Sequence, residues 1–371
     1  MPPDQSTLTG YTTDEELEEI PLPEELVSDV LGETEQCAEF AQDVLDESEG
    51  FREEVREDLG DRIQRVEDGL TYETTAGVDG SYTVIEGSGV SIALNSAVIA
   101  GDEFQYNKEV FPAPASQDIT TACQGLTTIQ EMKLVTQASS DIVIYDGSFI
   151  SALVNLNQVL GRRNEEPNQG LWDQVDPLLD EYFYGENYFL DAMKEHVVVG
   201  APKRSPSTHF LQEHYEEYVE RFSDRAFFSM ILEEGEYVLD HRYESGTNYG
   251  RDSPFVASDD TQAVENFFNR EGFLICFYKP EPWTRAYRLE IPESPVTNGQ
   301  HEQIMRTFGE EIIDPSLLEP YPQWLADAMC KKIVEVSEAL KDGVENKIAT
   351  ETDHDPGLVH SILQGYRTEM T

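Results

Sequence analysis

The apolar positions change rhythm several times along the chain, and each change marks an expected element. Between residues 23 and 67, Phe40, Val44, Phe51, Val55, Leu59, Ile63 and Val66 recur at three- and four-residue steps among Glu, Asp and Arg. That is the period of a helix with a narrow apolar stripe. It predicts two helices broken near Ser48-Glu49-Gly50, projecting or packed as a hairpin. Residues 1–23 are polar and proline-containing, and read as a loose arm. From Tyr72 the character changes, and residues 77–81, 82–85, 89–94 and 97–100 read as short strands separated by turns. Residues 120–138 return to helical spacing, with Leu126, Ile129, Met132, Leu134 and Val135 as core contacts. Residues 141–146 then form a short buried-type strand that ends in an acid. Further on, 150–195 read as mostly helical; 196–200, 273–278 and 287–291 as strands; 322–340 as a helix; and 357–364 as a short one. Strands alternating with helices define an α/β protein: a mixed sheet flanked by helices, with an N-terminal helical extension. The expected organisation is an acidic arm and helices over 1–70, a main domain over 71–345 and a tail over 346–371, with no internal repeat.

Charge changes this picture. The 371 residues carry 74 acids against 25 bases, a formal net charge of −49, yet 39% are hydrophobic and 10% aromatic. The chain therefore has the material for a core and is not a disordered acidic tail. At ordinary ionic strength such self-repulsion opposes compaction. At molar salt the Debye length shrinks to roughly 3 Å and the acids become a hydrated coat. Because they are spread along the whole sequence, they point to the cytoplasm of an extreme halophile rather than to one surface for a basic partner. The charge thus reports habitat and does not exclude nucleic acid. Cys37, Cys123, Cys276 and Cys330 are too scattered for a disulfide framework or a cysteine zinc site. The start of the sequence lacks the pattern of a signal peptide, and no stretch approaches 18 uncharged apolar residues. A cytoplasmic protein with no membrane partner is expected.

The tripeptide Asp-Gly-Ser closes two apolar runs, as Asp79-Gly80-Ser81 and Asp146-Gly147-Ser148. A glycine directly after the acid lets the backbone turn and leaves the carboxylate exposed at a strand end. The competing reading is an ordinary hairpin turn. It suits Asp146 less, because Phe149-Ile150-Ser151-Ala152-Leu153 reads as a helix start. Glu131 lies between the two, within the helix expected over 120–138. Strand acid, helix acid, strand acid is the order found in RNase H-like nucleases, where carboxylates from separate elements meet at a sheet edge. Two divalent ions ~3.5–4 Å apart need such oxygen-rich convergence for phosphodiester hydrolysis. Lys203 and Arg204 stand out among so few bases. Lys203 would neutralise the scissile phosphate or orient the attacking water; the alternative is a surface pair balancing acids such as Glu195. Trp283, Arg285 and Tyr287 offer stacking partners for bases, with a core role for the aromatics as the simpler reading.

Several runs together resemble the NurA nucleases: residues 76–81, the Glu131 helix, residues 141–148, and Pro320-Tyr321-Pro322 leading into a helix. Residues 198–205, a strand followed by a lysine, and Arg288-Leu289-Glu290-Ile291-Pro292 are similar to two further family strands. The resemblance covers about residues 72–340. It implies an RNase H-like fold, a homodimer and cleavage of DNA dependent on Mn²⁺, with Mg²⁺ as the alternative ion. Expected activities are 5′-to-3′ exonuclease and single-strand endonuclease, acting with the hexameric ATPase HerA in resecting broken ends. The resemblance assigns Asp79, Glu131 and Asp146 as metal-binding acids and Tyr321 as the tyrosine of the late Tyr-Pro motif. One departure stands out. The family places His or Asp eight positions after that tyrosine, where this chain has Met329, while Asp327 lies about half a helical turn away. Either Asp327 is the metal ligand from a shifted register, or a ligand is lost and the chain is an inactive NurA-like subunit that binds DNA or the ATPase. His354 and His360 are the remaining candidates for a substitute ligand.

Overall fold

The computed structural model describes residues 34–87, 89–114, 119–149, 196–203, 207–242, 273–292 and 299–351, with the isolated positions 151, 152, 155 and 177. The expectations for the arm at 1–23, for helices over 150–195 and at 357–364, and for Arg204, His354 and His360 fall outside the described residues. The chain divides into two compact units, residues 1–60 and 61–371. In the first, α1 (Thr34–Leu59) is one continuous helix of 26 residues. The break expected at Ser48-Glu49-Gly50 does not occur. A lone glycine costs a helix only about 1 kcal/mol, and the strong helix formers around it outweigh that. Ile63, read as part of the same stripe, belongs instead to a strand in the second unit.

The second unit is built on a nine-stranded mixed sheet. Strands β2 (Thr75–Ile85), β3 (Val90–Gly101) and β4 (Phe104–Pro114) form an antiparallel meander. Helix α2 (Ile119–Gln137) crosses over to β5 (Ile142–Tyr145), which runs parallel to β2, and β6 (Val197–Gly200) runs parallel to β5. Three antiparallel strands followed by two parallel ones beside the first is the RNase H-like arrangement. Beyond β6 the sheet continues antiparallel through β9 (Tyr287–Pro292), β8 (Phe273–Lys279) and β7 (Glu236–Arg242), to β1 (Ile63–Arg65) at the far edge. The remaining helices are α3 (His209–His214), α4 (Asp224–Ile231), α5 (His301–Glu310), α6 (Tyr321–Glu335) and α7 (Ser337–Glu351). The single helix expected over 322–340 is thus two, and α7 opens at a serine, a residue that favours helix starts. None of the described helices is long and apolar enough to cross a membrane.

The strands expected over 77–81 and 82–85 merge into β2, and those over 89–94 and 97–100 into β3. Asn95-Ser96 resembles a turn in sequence but sits fully buried inside β3. The Asn95 side-chain amide donates to the Cys123 carbonyl and to Thr127 Oγ1, both at 2.7 Å. These two bonds from its amide help Asn95 remain in a strand covered on both faces. On one face Ala326 and Cys330 of α6 pack against Val98 and Ala100. Elsewhere α5 contributes Ile304, Met305 and Phe308 to a core with Ile144, Val199, Leu289 and Ile291. Phe228 stacks on Phe277 at 4.3 Å between ring centres, extending the apolar packing to α4.

Gly77 fixes how closely α6 can lie on β2. A Cβ there would sit 2.4 Å from the backbone of Pro322 and Gln323, and a helix start cannot yield as a flexible side chain can. Gly77→Ala is therefore expected to destabilise the protein by roughly 1–3 kcal/mol, the usual cost of overpacking. Denaturant unfolding in molar KCl would read this as a lower midpoint; an unchanged midpoint would contradict the packing argument.

Candidate active site

Asp79 does not stand at a strand end. It lies mid-strand in β2, opposite Val98, with Gly80 opposite Ala97 and Ser81 opposite Ser96, so both the strand-end and the hairpin readings are corrected. The glycine after it has a different purpose. A Cβ at Gly80 would fall 2.3 Å from Thr127 Cγ2 and 2.5 Å from Glu131 Oε1. Its absence lets α2 settle against the strand and brings the Glu131 carboxylate against the Gly80 backbone, whose N–H donates to Asp79 Oδ1 at 2.8 Å. Asp146 does close its strand, as expected. Its N–H donates to the Val78 carbonyl at 2.9 Å, extending the pairing of β5 with β2 by one residue. A helical turn then begins, with the Ala152 N–H donating to the Ser148 carbonyl at 3.0 Å.

Glu131 is buried, and Tyr145 donates its hydroxyl to Glu131 Oε2 at 2.7 Å. On the opposite face of the sheet, α6 presents Gln323, Asp327 and Lys331 at four-residue steps. Gln323 is 1% exposed, and its amide donates to Asp146 Oδ1 at 2.6 Å and to the Ala201 carbonyl at 3.0 Å. The Lys203 ammonium lies 2.6 Å from Asp146, 3.0 Å from Glu319 and 3.5 Å from Asp327. Asp327 also pairs with Lys331 at 2.8 Å and accepts a hydrogen bond from the Asp79 carboxyl. Of the six residues expected to act, five therefore gather: Asp79, Glu131, Asp146, Lys203 and Asp327. Tyr321 does not join their hydrogen bonds among the described residues; its exposed ring stacks on Trp324 at 5.8 Å. Met329 is exposed, about 200° around the helix from Asp327. Tyr287 is in the core, edge-on to Phe308, while Trp283 stands at the surface.

Gln323 and Glu319 were not picked out from sequence. Their signal was position: Gln323 is one helical turn before Asp327, and Glu319 directly precedes Pro320-Tyr321-Pro322. Leu318 adopts φ 52°, a strained conformation for a branched side chain, and the chain turns there so that Glu319 meets Lys203.

The electrostatics follow from burying so much negative charge. Burial pushes the Glu131 carboxyl up to about 8, against the pull of Tyr145 and with repulsion from Asp146. Burial and the neighbouring Asp146 raise Asp79 well above the usual carboxylate range. Asp146 is raised by burial even though Lys203 and Gln323 oppose the shift. Burial also works to raise Asp327, but Lys331, Lys203 and the bond from Asp79 hold it below its ordinary value. Lys203 is kept charged by Asp146 in spite of burial. Among the described residues no three His, Cys, Asp or Glu side chains stand ready around one point as a metal cage. The cation that these carboxylates close on is Lys203. An all-carboxylate donor set with this excess of suppressed charge suits a hard divalent ion.

A raised carboxyl destabilises the fold wherever the unfolded chain has already ionised. For Glu131 that loss begins near the ordinary 4.5 and is complete above about 8. Asp79 and Asp146 act in the same direction. Thermal melts of the metal-free protein should therefore show Tm falling from pH 5 towards pH 8. Glu131→Gln, which still accepts from Tyr145, should melt higher than wild type at pH 8. A steeper fall for the variant would contradict the assignment of buried charge.

Comparison with known proteins places this arrangement. The structure of the NurA nuclease from Sulfolobus solfataricus is similar with a TM-score of 0.58 at 12% identity, covering 90% of this chain and 100% of that one. A second NurA structure gives 0.54 at 13% identity, over 87% of this chain and 99% of the other. A NurA solved with manganese gives 0.52 at 13% identity, with the same two shares. No curated protein sequence matches the chain. The profile of the NurA domain matches residues 73–328, more than half of the sequence, and the chain therefore belongs to the NurA family.

Proposed function

We propose that the protein is a metal-dependent deoxyribonuclease of the NurA kind. The observation that carries this reading is the meeting of acids from β2, β5 and α6 around the half-buried Lys203 ammonium, with Glu131 of α2 close to Asp146. Asp79, Glu131 and Asp146 would hold the metal, with Asp327 in the place that the family gives to a residue two positions later. Mn²⁺ is the favoured ion, supported by the relative solved with manganese, with Mg²⁺ as the alternative. Bound divalent ions would supply an activated water and a Lewis acid for the leaving oxygen. Lys203, released from Asp146, Glu319 and Asp327, would be free to neutralise the scissile phosphate. Gln323 holds one oxygen of Asp146 while the other meets Lys203. Tyr321 and Trp324, stacked at the rim of α6, present aromatic surface to a base of the DNA.

On this reading residues 71–345 are the nuclease domain. The protein works in the cytoplasm of a halophile as a homodimer with a HerA-type ATPase, cutting 5′ to 3′ and within single strands during end resection. Met329 in the family's ligand position favours the alternative of an inactive DNA- or ATPase-binding subunit. The inward placement of Asp327 favours the enzyme.

Linear DNA incubated with the purified protein and Mn²⁺ in molar KCl separates the two. The nuclease reading predicts metal-dependent shortening. Asp79→Ala and Asp146→Asn should lower its rate by more than about 100-fold, since even outer partners of a metal site cost 10–100-fold. Absence of cutting with every divalent ion tried would favour the scaffold.

A further inference from the structure

We propose that Glu290 is a positioning residue, which ties the seam of the sheet to the turn carrying Asp146 and so sets the geometry in which the site acids meet a metal ion. The inference rests on the reading of Asp146 as a metal ligand. Glu290 is a carboxylate outside the acid cluster, only 1% exposed, and a charge buried that deeply requires partners. It has three. Ser148 donates its hydroxyl to Oε1 at 2.6 Å, the Phe149 N–H donates to Oε2 at 2.8 Å, and Arg288 Nη2 lies 2.7 Å from Oε1.

Position gives these bonds their meaning. Strands β6 and β9 join the RNase H-like half of the sheet to its antiparallel extension, and they do so through one register pair, Gly200 opposite Glu290. The packing there is tight: a Cβ on Gly200 would lie 3.1 Å from the Gly147 carbonyl oxygen and 3.2 Å from Glu290 Cβ. From this seam Glu290 reaches two successive residues of the turn, Ser148 and Phe149, immediately after Asp146-Gly147. Two oxygens fixing two neighbouring residues define the rotation of that turn, which a merely apolar contact would leave free. The Phe149 ring stacks on Tyr145 at 5.6 Å, and Tyr145 in turn donates to Glu131. One buried carboxylate thus supports the placement of both Asp146 and Glu131 from β9.

The test is Mn²⁺ affinity, read by the loss of the free-ion EPR signal on titration into the full chain, with circular dichroism confirming the fold. Wild type, Asp146→Asn, Glu290→Gln and Ser148→Ala are compared. Glu290→Gln keeps the shape but loses charge and one acceptor, and should weaken Mn²⁺ binding about tenfold. Ser148→Ala, which removes a single bond, should show a smaller loss in the same direction, and decides alone if Glu290→Gln fails to fold. KM for DNA at saturating Mn²⁺ should stay unchanged in both. A lower Tm with Mn²⁺ affinity within about twofold of wild type, while Asp146→Asn binds poorly, would reduce Glu290 to structural packing and overturn the proposal. Undiminished binding in Asp146→Asn would instead remove the metal-ligand reading on which it stands.

Discussion

Carboxylates on β2, α2, β5 and α6 are buried within reach of one another, and like charges in a low-dielectric interior cannot all ionise unless a cation stands among them. Lys203 and, at the rim, Lys331 supply two positive charges, too few for Asp79, Glu131, Asp146, Glu319 and Asp327 together. The shortfall shows in Asp79 and Glu131, whose carboxyls burial and neighbouring acids hold above the usual carboxylate range. A fold assembled only for stability would replace such a cluster with apolar side chains. This one keeps it at the centre of the sheet, with helices on both faces. The proposed role as a site for divalent ions accounts for a cluster that stability alone would not keep.

Much of the remaining structure is explained by the need to bring those acids together. Gly80 admits α2 to one face of β2, and Gly77 admits α6 to the other. The strand between them carries Asp79 where either helix can add an acid. On α6 the four-residue spacing of Gln323, Asp327 and Lys331 turns one stripe towards the site and leaves Met329 in solvent. That stripe is why an acid two positions before the family's ligand position faces the cluster.

The parts of the fold legible in the sequence were those whose signal is local. The helix over 120–138, the strands near 142–145, 197–200, 273–279 and 287–292, and the α/β class followed from spacing alone. Where a polar or small residue had a distant partner, local reasoning failed. Gly80 looked like a turn because its neighbour in space, Thr127, is remote in sequence. Asn95-Ser96 looked like a loop because the groups that accept from the Asn95 amide lie on α2. Strand β4 went unread because it is an edge: Phe104, Tyr106 and Val110 are exposed, so its alternation does not separate core from surface. The acids of the site were legible through their order and the family resemblance. Gln323 and Glu319 required the helix register and the turn before it, which only the fold supplies.

The account turns on whether Lys203 is standing where a divalent ion would draw the same carboxylates. An anomalous-scattering crystal structure of the protein grown with Mn²⁺ addresses this directly. The account predicts manganese within bonding distance of Asp79, Asp146 and Glu131, with the Lys203 ammonium moved away from Asp146. Manganese bound only elsewhere, with the lysine still seated among Asp146, Glu319 and Asp327, would contradict it.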